Sequence, residues 1–132
     1  MRGDCVPLEQ ARQLLEEARV LHEKGKCVGS IKKAQEAVRV ALVDLLKSLG
    51  VEKPVGSLRE CLQNLPRDAR AEFLRSIEEA CQGSRWISLA CEARLEEPIE
   101  TPVEGACSRL DSESAIASAE QIVRLIEEIL SP

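Results

Sequence analysis

Apolar residues recur along this chain at helical steps almost from end to end, and nowhere alternate with period two over a useful length. That pattern selects helices and leaves no place for a sheet. From Pro7, which suits the first turn of a helix, Leu8, Ala11, Leu14, Leu15, Ala18 and Leu21 form one stripe. Glu9, Arg12, Glu16, Glu17 and Arg19 fill much of the other side, and the helix is expected to end near Gly25. A second helix is expected from about Ser30 to Leu49, with Ile31, Ala34, Val38, Ala41, Leu42, Leu45 and Leu49 on its stripe and Gly50 as its stop. Only a short segment around Gly25 and Gly29 separates the two, so they should be antiparallel neighbours.

Pro54 and Gly56 mark a turn over residues 51–56. Ser57 and Glu60 then have the spacing of a capping box, opening a short third helix from Leu58 to about Leu65. A longer helix is expected from about Arg67 to Glu96. Phe73, Ile77, Cys81, Ser84, Ile87, Cys91 and Leu95 lie along one of its faces, and Gly83 is a place for a bend. Pro98, Pro102 and Gly105 make residues 97–105 a loop. Asp111 or Ser112 can cap the last helix, whose stripe is Ala115, Ala119, Ile122, Ile126 and Ile129. The expected fold is all-α: an up-and-down bundle of about five helices, four long and one short, with residues 1–132 as one domain.

The kind of apolar residue narrows the function. The core candidates are Leu, Ala, Ile and Val, with one Phe, one Trp and no Tyr, which suits helix packing but not an aromatic platform for stacking bases. A formal net charge of −5 repels polyanions at long range and disfavours non-specific DNA binding. No apolar run approaches the ~18 residues of a membrane span, and Met1 to Pro7 has no apolar signal region, so a cytoplasmic location without membrane association is expected. The charge-rich composition and scarcity of Met and His are compatible with a thermophilic source.

The six cysteines, Cys5, Cys27, Cys61, Cys81, Cys91 and Cys107, include no CxxC-type knuckle, and His22 is the only histidine. A structural zinc site is therefore not expected, and nothing else in the chain asks for a cofactor. The cysteines read either as small buried apolar residues or as the makings of one or two intracellular disulfides. His22 reads as a half-exposed residue near a helix end. As a base it would need a partner from elsewhere in the fold. The acidic pairs Glu16/Glu17, Glu78/Glu79, Glu96/Glu97 and Glu127/Glu128 lack the Glu-x-x-His spacing of a dimetal bundle and read as solvated faces. No phosphate-binding glycine motif is present. The candidate binding residues are basic. Lys24, Lys26, Lys32 and Lys33 cluster where the first helix turns into the second, and Arg85 and Arg94 flank the Trp86 region. Such a group can hold phosphate or an acidic partner, or simply solubilise the surface.

The segment Ser30 to Gly50, with Ala34, Gln35 and Ala37 at its start and Leu45, Leu46, Lys47 and Gly50 at its end, resembles a core helix of HEPN domains (higher eukaryotes and prokaryotes nucleotide-binding). Residues Ser57 to Leu62 are similar to that family's short helix, and Ala115 to Leu130 to its closing helix. The resemblance implies a helical bundle that pairs with itself, with nucleotide binding as the proposed family role. It also implies, for small prokaryotic members, a minimal nucleotidyltransferase partner in toxin–antitoxin-like modules. The departures concern catalysis. Gly56 stands where the family often has a histidine, and Arg94-Leu-Glu-Glu97 stands in place of an Arg-Tyr-Pro-Asp-like segment. Ribonuclease members carry an arginine four to six residues before a histidine. The positions before His22 that would supply it are Glu16, Glu17 and Ala18. The expected function is therefore a non-catalytic homodimeric module that binds a nucleotide or a nucleotidyltransferase, with no catalytic residue. The alternatives are an RNA-cleaving HEPN ribonuclease with a degenerate site, using Arg94 or nearby polar groups, and a structural bundle with redox-linked cysteines.

Overall fold

The computed structural model describes residues 6–50, 56, 71–95 and 97–130. Among them are five α-helices and no strand: α1 (Val6–Glu23), α2 (Cys27–Ser48), α3 (Ala71–Cys81), α4 (Arg85–Glu92) and α5 (Arg109–Leu130), with a 3-10 turn at Glu104–Ala106. The expected helix at Leu58 to Leu65, its Ser57/Glu60 box, Cys5, Cys61 and the side chain of Phe73 lie outside the described residues. The all-helical fold is as the sequence pattern requires, though the five helices are not the same five. Three run 18 to 22 residues and the other two are 11 and 8 residues long.

The element at the centre is α2, which packs against α1, α4 and α5, while α5 also packs against α1 and α3. Its stripe residues Ile31, Ala34, Val38, Ala41, Leu42 and Leu45 are fully buried, as are Ala37 and Leu46 beside them. Each large apolar side chain buried in this way contributes about 2 kcal/mol. Ala11 and Ala18 of α1, and Ala115 and Ala119 of α5, are also fully buried, so the three longest helices meet along small side chains. Polar groups join α1 to α2 and α5 to α3. The Ser30 hydroxyl donates to the Ala18 carbonyl at 2.8 Å, and the Ser118 hydroxyl donates to the Ala80 carbonyl.

The α1–α2 corner is tighter than the sequence suggests. Gly25 has φ +77°, its N–H donates to the His22 carbonyl, and the Lys26 N–H donates to the Leu21 carbonyl at 2.8 Å. This pair of bonds satisfies the last carbonyls of α1 and turns the chain at once. Helix α2 therefore restarts at Cys27 instead of Ser30, and Gly29 is helical and not part of the loop. A Cβ there would stand 3.4 Å from the Leu21 side chain, in ordinary contact with α1. At the other end, Gly50 has φ +96° and terminates α2 as expected.

The expected helix from Arg67 to Glu96 is not bent at Gly83 but broken there. Residues ten apart in one straight helix would lie about 15 Å apart, whereas Cys81 and Cys91 are joined by a disulfide with Cα atoms 6.4 Å apart. Ser84 is extended, and its hydroxyl accepts from the Ile87 N–H, so it starts a new helix. A Cβ on Gly83 would come within 3.2 Å of the Ala80 carbonyl and 3.3 Å of the Ser118 hydroxyl, so the corner is packed against α5. Ile77, Cys81, Ser84, Ile87 and Cys91 are all buried, which is why the break leaves no gap in the periodic stripe. The reading of the cysteines as mainly unpaired apolar residues gives way as well. Cys27–Cys107 and Cys81–Cys91 are disulfides, because the fold brings each pair together.

The cap of α5 is neither Asp111 nor Ser112 alone. The Ser108 N–H donates to the Asp111 carboxylate at 3.0 Å, and the Asp111 N–H donates to the Ser108 hydroxyl at 3.1 Å. Ser108 is the cap and Asp111 its reciprocal partner. The Ser108 backbone N–H, then its hydroxyl, hold the Asp111 carboxyl below its ordinary value of 3.8. A carboxyl with a lower pKa when folded stabilises fully above its unfolded pKa and loses that effect as pH falls through the folded one. The Tm deficit of Asp111→Ala is expected to be largest near neutral pH and to shrink below about pH 4. A deficit constant across acid titration would show that the charge plays no part.

Candidate functional site

The structure separates the six basic candidates into three situations. Lys24 and Lys26 are exposed on the α1–α2 corner, and Lys32 is exposed further along α2. Lys33 instead turns to α1, where its ammonium lies 3.1 Å from Glu17, and that bond raises its pKa above the ordinary 10.5. Arg85 is exposed at the start of α4, its guanidinium carbon 5.0 Å from the Trp86 ring centre. Arg94 is exposed beyond the end of α4, and its carbonyl accepts from Arg39.

Covalent and polar links show which of these share a neighbourhood. The disulfide from Cys27 to Cys107 ties the corner carrying Lys24 and Lys26 to the start of α5. There the Asp111 carboxylate lies near the Trp86 side chain and within the field of Arg85, both of which lower its pKa after the Ser108 bonds. Lys24 and Lys26 thus form a basic end of the bundle beside the start of α5, which Arg85 and Trp86 approach from α4. The Trp86 carbonyl sits at Gln35, eight residues along α2 from Cys27, or about 12 Å at the helical rise. Arg94 sits further off, beside Arg39, 12 residues along α2 from Cys27, or about 18 Å.

His22 is not a loosely exposed helix-end residue. Its side chain is only 13% exposed and reaches across to α5. Nδ1 meets the Ser112 hydroxyl, and Nε2 lies 3.9 Å from the Glu113 carboxylate. The Ser112 hydroxyl donates to the Arg109 carbonyl at 3.2 Å, so in that arrangement it accepts from Nδ1–H. A shallow cleft of about 280 Å³ opens here, lined by Arg19, His22, Glu23, Glu113, Ile116, Ala117 and Glu120. Arg19 is paired with Glu120 and with Glu16. Three carboxylates against one guanidinium make the cleft acidic, the wrong sign for a phosphodiester.

Sequence reasoning missed this cleft. The signal was present: Arg12 pairs with Glu127 and Arg19 with Glu120, a seven-residue spacing repeated on two antiparallel helices. Reading it required the register of α1 against α5. Among the described residues no cluster of metal-ligating side chains forms, and no helix is long and apolar enough to cross a membrane.

The family model for the HEPN domain matches residues 7–129. The chain belongs to the HEPN family. A solved structure similar to this HEPN chain is the crystal structure of TT1696 from Thermus thermophilus. It aligns with a TM-score of 0.68 at 25% identity, covering 98% of this chain and 100% of that one. A search of curated proteins found no match. The HEPN match takes in α1 through almost all of α5, and so includes both the basic end and the acidic cleft.

Proposed function

We propose that this HEPN protein is a non-catalytic binding module, a cytoplasmic homodimer that binds a nucleotide or a minimal nucleotidyltransferase in a toxin–antitoxin-like module. The observation that supports this reading is the exposed Arg85 over the half-buried Trp86 ring, on an element that approaches the start of α5, where the disulfide also ties the exposed Lys24 and Lys26 corner. Cationic side chains there suit phosphate oxygens, and the indole offers one apolar face to a base. Lys32 extends the positive surface along α2. The ribonuclease alternative finds less support: His22 and Arg19 are both engaged with α5 in an acidic cleft, and Arg94 is remote from the basic end.

ATP or GTP at about ten times its Kd should stabilise the protein by about 1.4 kcal/mol, a Tm rise of a few degrees. The charge-reversed variant Lys24→Glu/Lys26→Glu/Arg85→Glu should lose that rise. Light scattering should give a dimer mass. A monomer with no nucleotide shift would overturn the proposal. So would RNA cleavage by the wild type that disappears in His22→Ala or Arg94→Ala, which would favour the degenerate ribonuclease.

A further inference from the structure

The segment that leaves α4 returns across α2 and is held there by two kinds of bond. Its first part is held by hydrogen bonds. Arg39 Nη2 donates to the Arg94 and Glu97 carbonyls at 3.3 and 3.2 Å, and Gln35 Nε2 donates to the Glu100 carbonyl at 2.9 Å. Pro102 is buried next. The following turn is different: residues 103–106 are exposed, and a single internal bond from the Ala106 N–H to the Val103 carbonyl shapes them. What fastens this turn to α2 is the Cys27–Cys107 disulfide.

The two disulfides also differ in access. Cys81 and Cys91 are 1% and 0% exposed inside the α3–α4 corner. Cys27 and Cys107 are half-buried at the surface. Thiol–disulfide exchange requires a thiolate to reach a sulfur, so an external dithiol meets the outer pair first. We propose that Cys27–Cys107 is a reducible clasp, which frees the 103–107 turn from the start of α2 when opened while Cys81–Cys91 stays closed.

In the opening reaction one dithiol thiolate attacks a sulfur of the pair and releases the other as a thiolate. The second thiol of the reagent then displaces the remaining protein sulfur and leaves as a cyclic disulfide. Two electrons and two protons pass from the dithiol to Cys27 and Cys107. The Cys27 sulfur lies 3.1 Å from the Ser108 carbonyl. It has no proton to donate while oxidised, but as a thiol it can donate there, which gives the reduced form a bonded resting place. The reciprocal Ser108–Asp111 cap is unaffected, so α5 keeps its start.

The test is hydrogen exchange on the full chain, with and without dithiothreitol, together with alkylation mapped by mass spectrometry. Mild reduction should label Cys27 and Cys107 and spare Cys81 and Cys91. Exchange at the Ala106 N–H, whose bond to Val103 shapes the turn, should rise about tenfold or more, and at residues 94–100 by less than about twofold. Cys27→Ser/Cys107→Ser should exchange fast at Ala106 without reductant and not respond to it. Simultaneous labelling of Cys27, Cys107, Cys81 and Cys91, unchanged exchange at Ala106, or free Cys27 and Cys107 in protein purified without reductant would each overturn the proposal.

Discussion

Gln35→Ala is expected to destabilise the protein by about 2–4 kcal/mol, shifting the urea midpoint downward with little change in slope. Gln35 is 2% exposed on the buried side of α2. Its side-chain amide donates to the Trp86 carbonyl at 3.0 Å and to the Glu100 carbonyl at 2.9 Å. One side chain thus joins the central helix to the start of α4 and to the returning segment. Alanine would leave both carbonyls without their donor and open a void beside them. Gln35→Glu should be worse at neutral pH, because a carboxylate would face two acceptors. An unchanged midpoint for Gln35→Ala would mean that water already serves those carbonyls.

Leu42→Ala should cost about 3–5 kcal/mol, toward the upper end for such truncations, and lower Tm by more than about 10 °C. Leu42 is fully buried in the helix that α1, α4 and α5 all contact. A void at a fully buried position of the central helix is expected to close only in part, because α2 is held by several helices at once. Against a total stability of about 5–15 kcal/mol, the loss is severe. Calorimetry or thermal circular dichroism would measure it. A cost below about 1 kcal/mol would show that the surrounding helices collapse freely, contrary to the packing described.

The parts legible in the sequence were those governed by a period and a stop. The stripes of α1, α2 and α5 fall where helical spacing places them, and Gly50 ends α2 at the position its conformational freedom suggests. The break at Gly83 was not legible because it keeps the stripe in phase: Ile77, Cys81, Ser84, Ile87 and Cys91 are buried on both sides of it. Only the approach of Ser118 and the Cys81–Cys91 bond reveal why the chain turns there. Gln35 was visible as a letter in the resemblance to HEPN helices, but its partners lie 51 and 65 residues away and no local pattern announces them. The basic candidates cluster along the chain, which says nothing of their partners in space: Lys33 turns to Glu17, and Arg94 lies beside Arg39, a dozen residues along α2 from the Lys24 and Lys26 corner.

The alanines at the meeting of the three longest helices bear on how this sequence can drift. Ala11, Ala18, Ala34, Ala37, Ala41, Ala115 and Ala119 have no exposed surface at all. The separation of packed helix axes is set by the side chains at their contact. Here those include methyl groups, so any growth must push an axis outward, while trimming to glycine costs about 1 kcal/mol in a helix interior. Substitution is therefore harmful in both directions at these seven positions, and bulk gained does the greater harm. A larger residue on one helix can persist only with room made on the helix opposite. Descendants of this chain would change such positions in facing pairs, and the spacing of the helices is an inherited quantity that no single residue can rewrite.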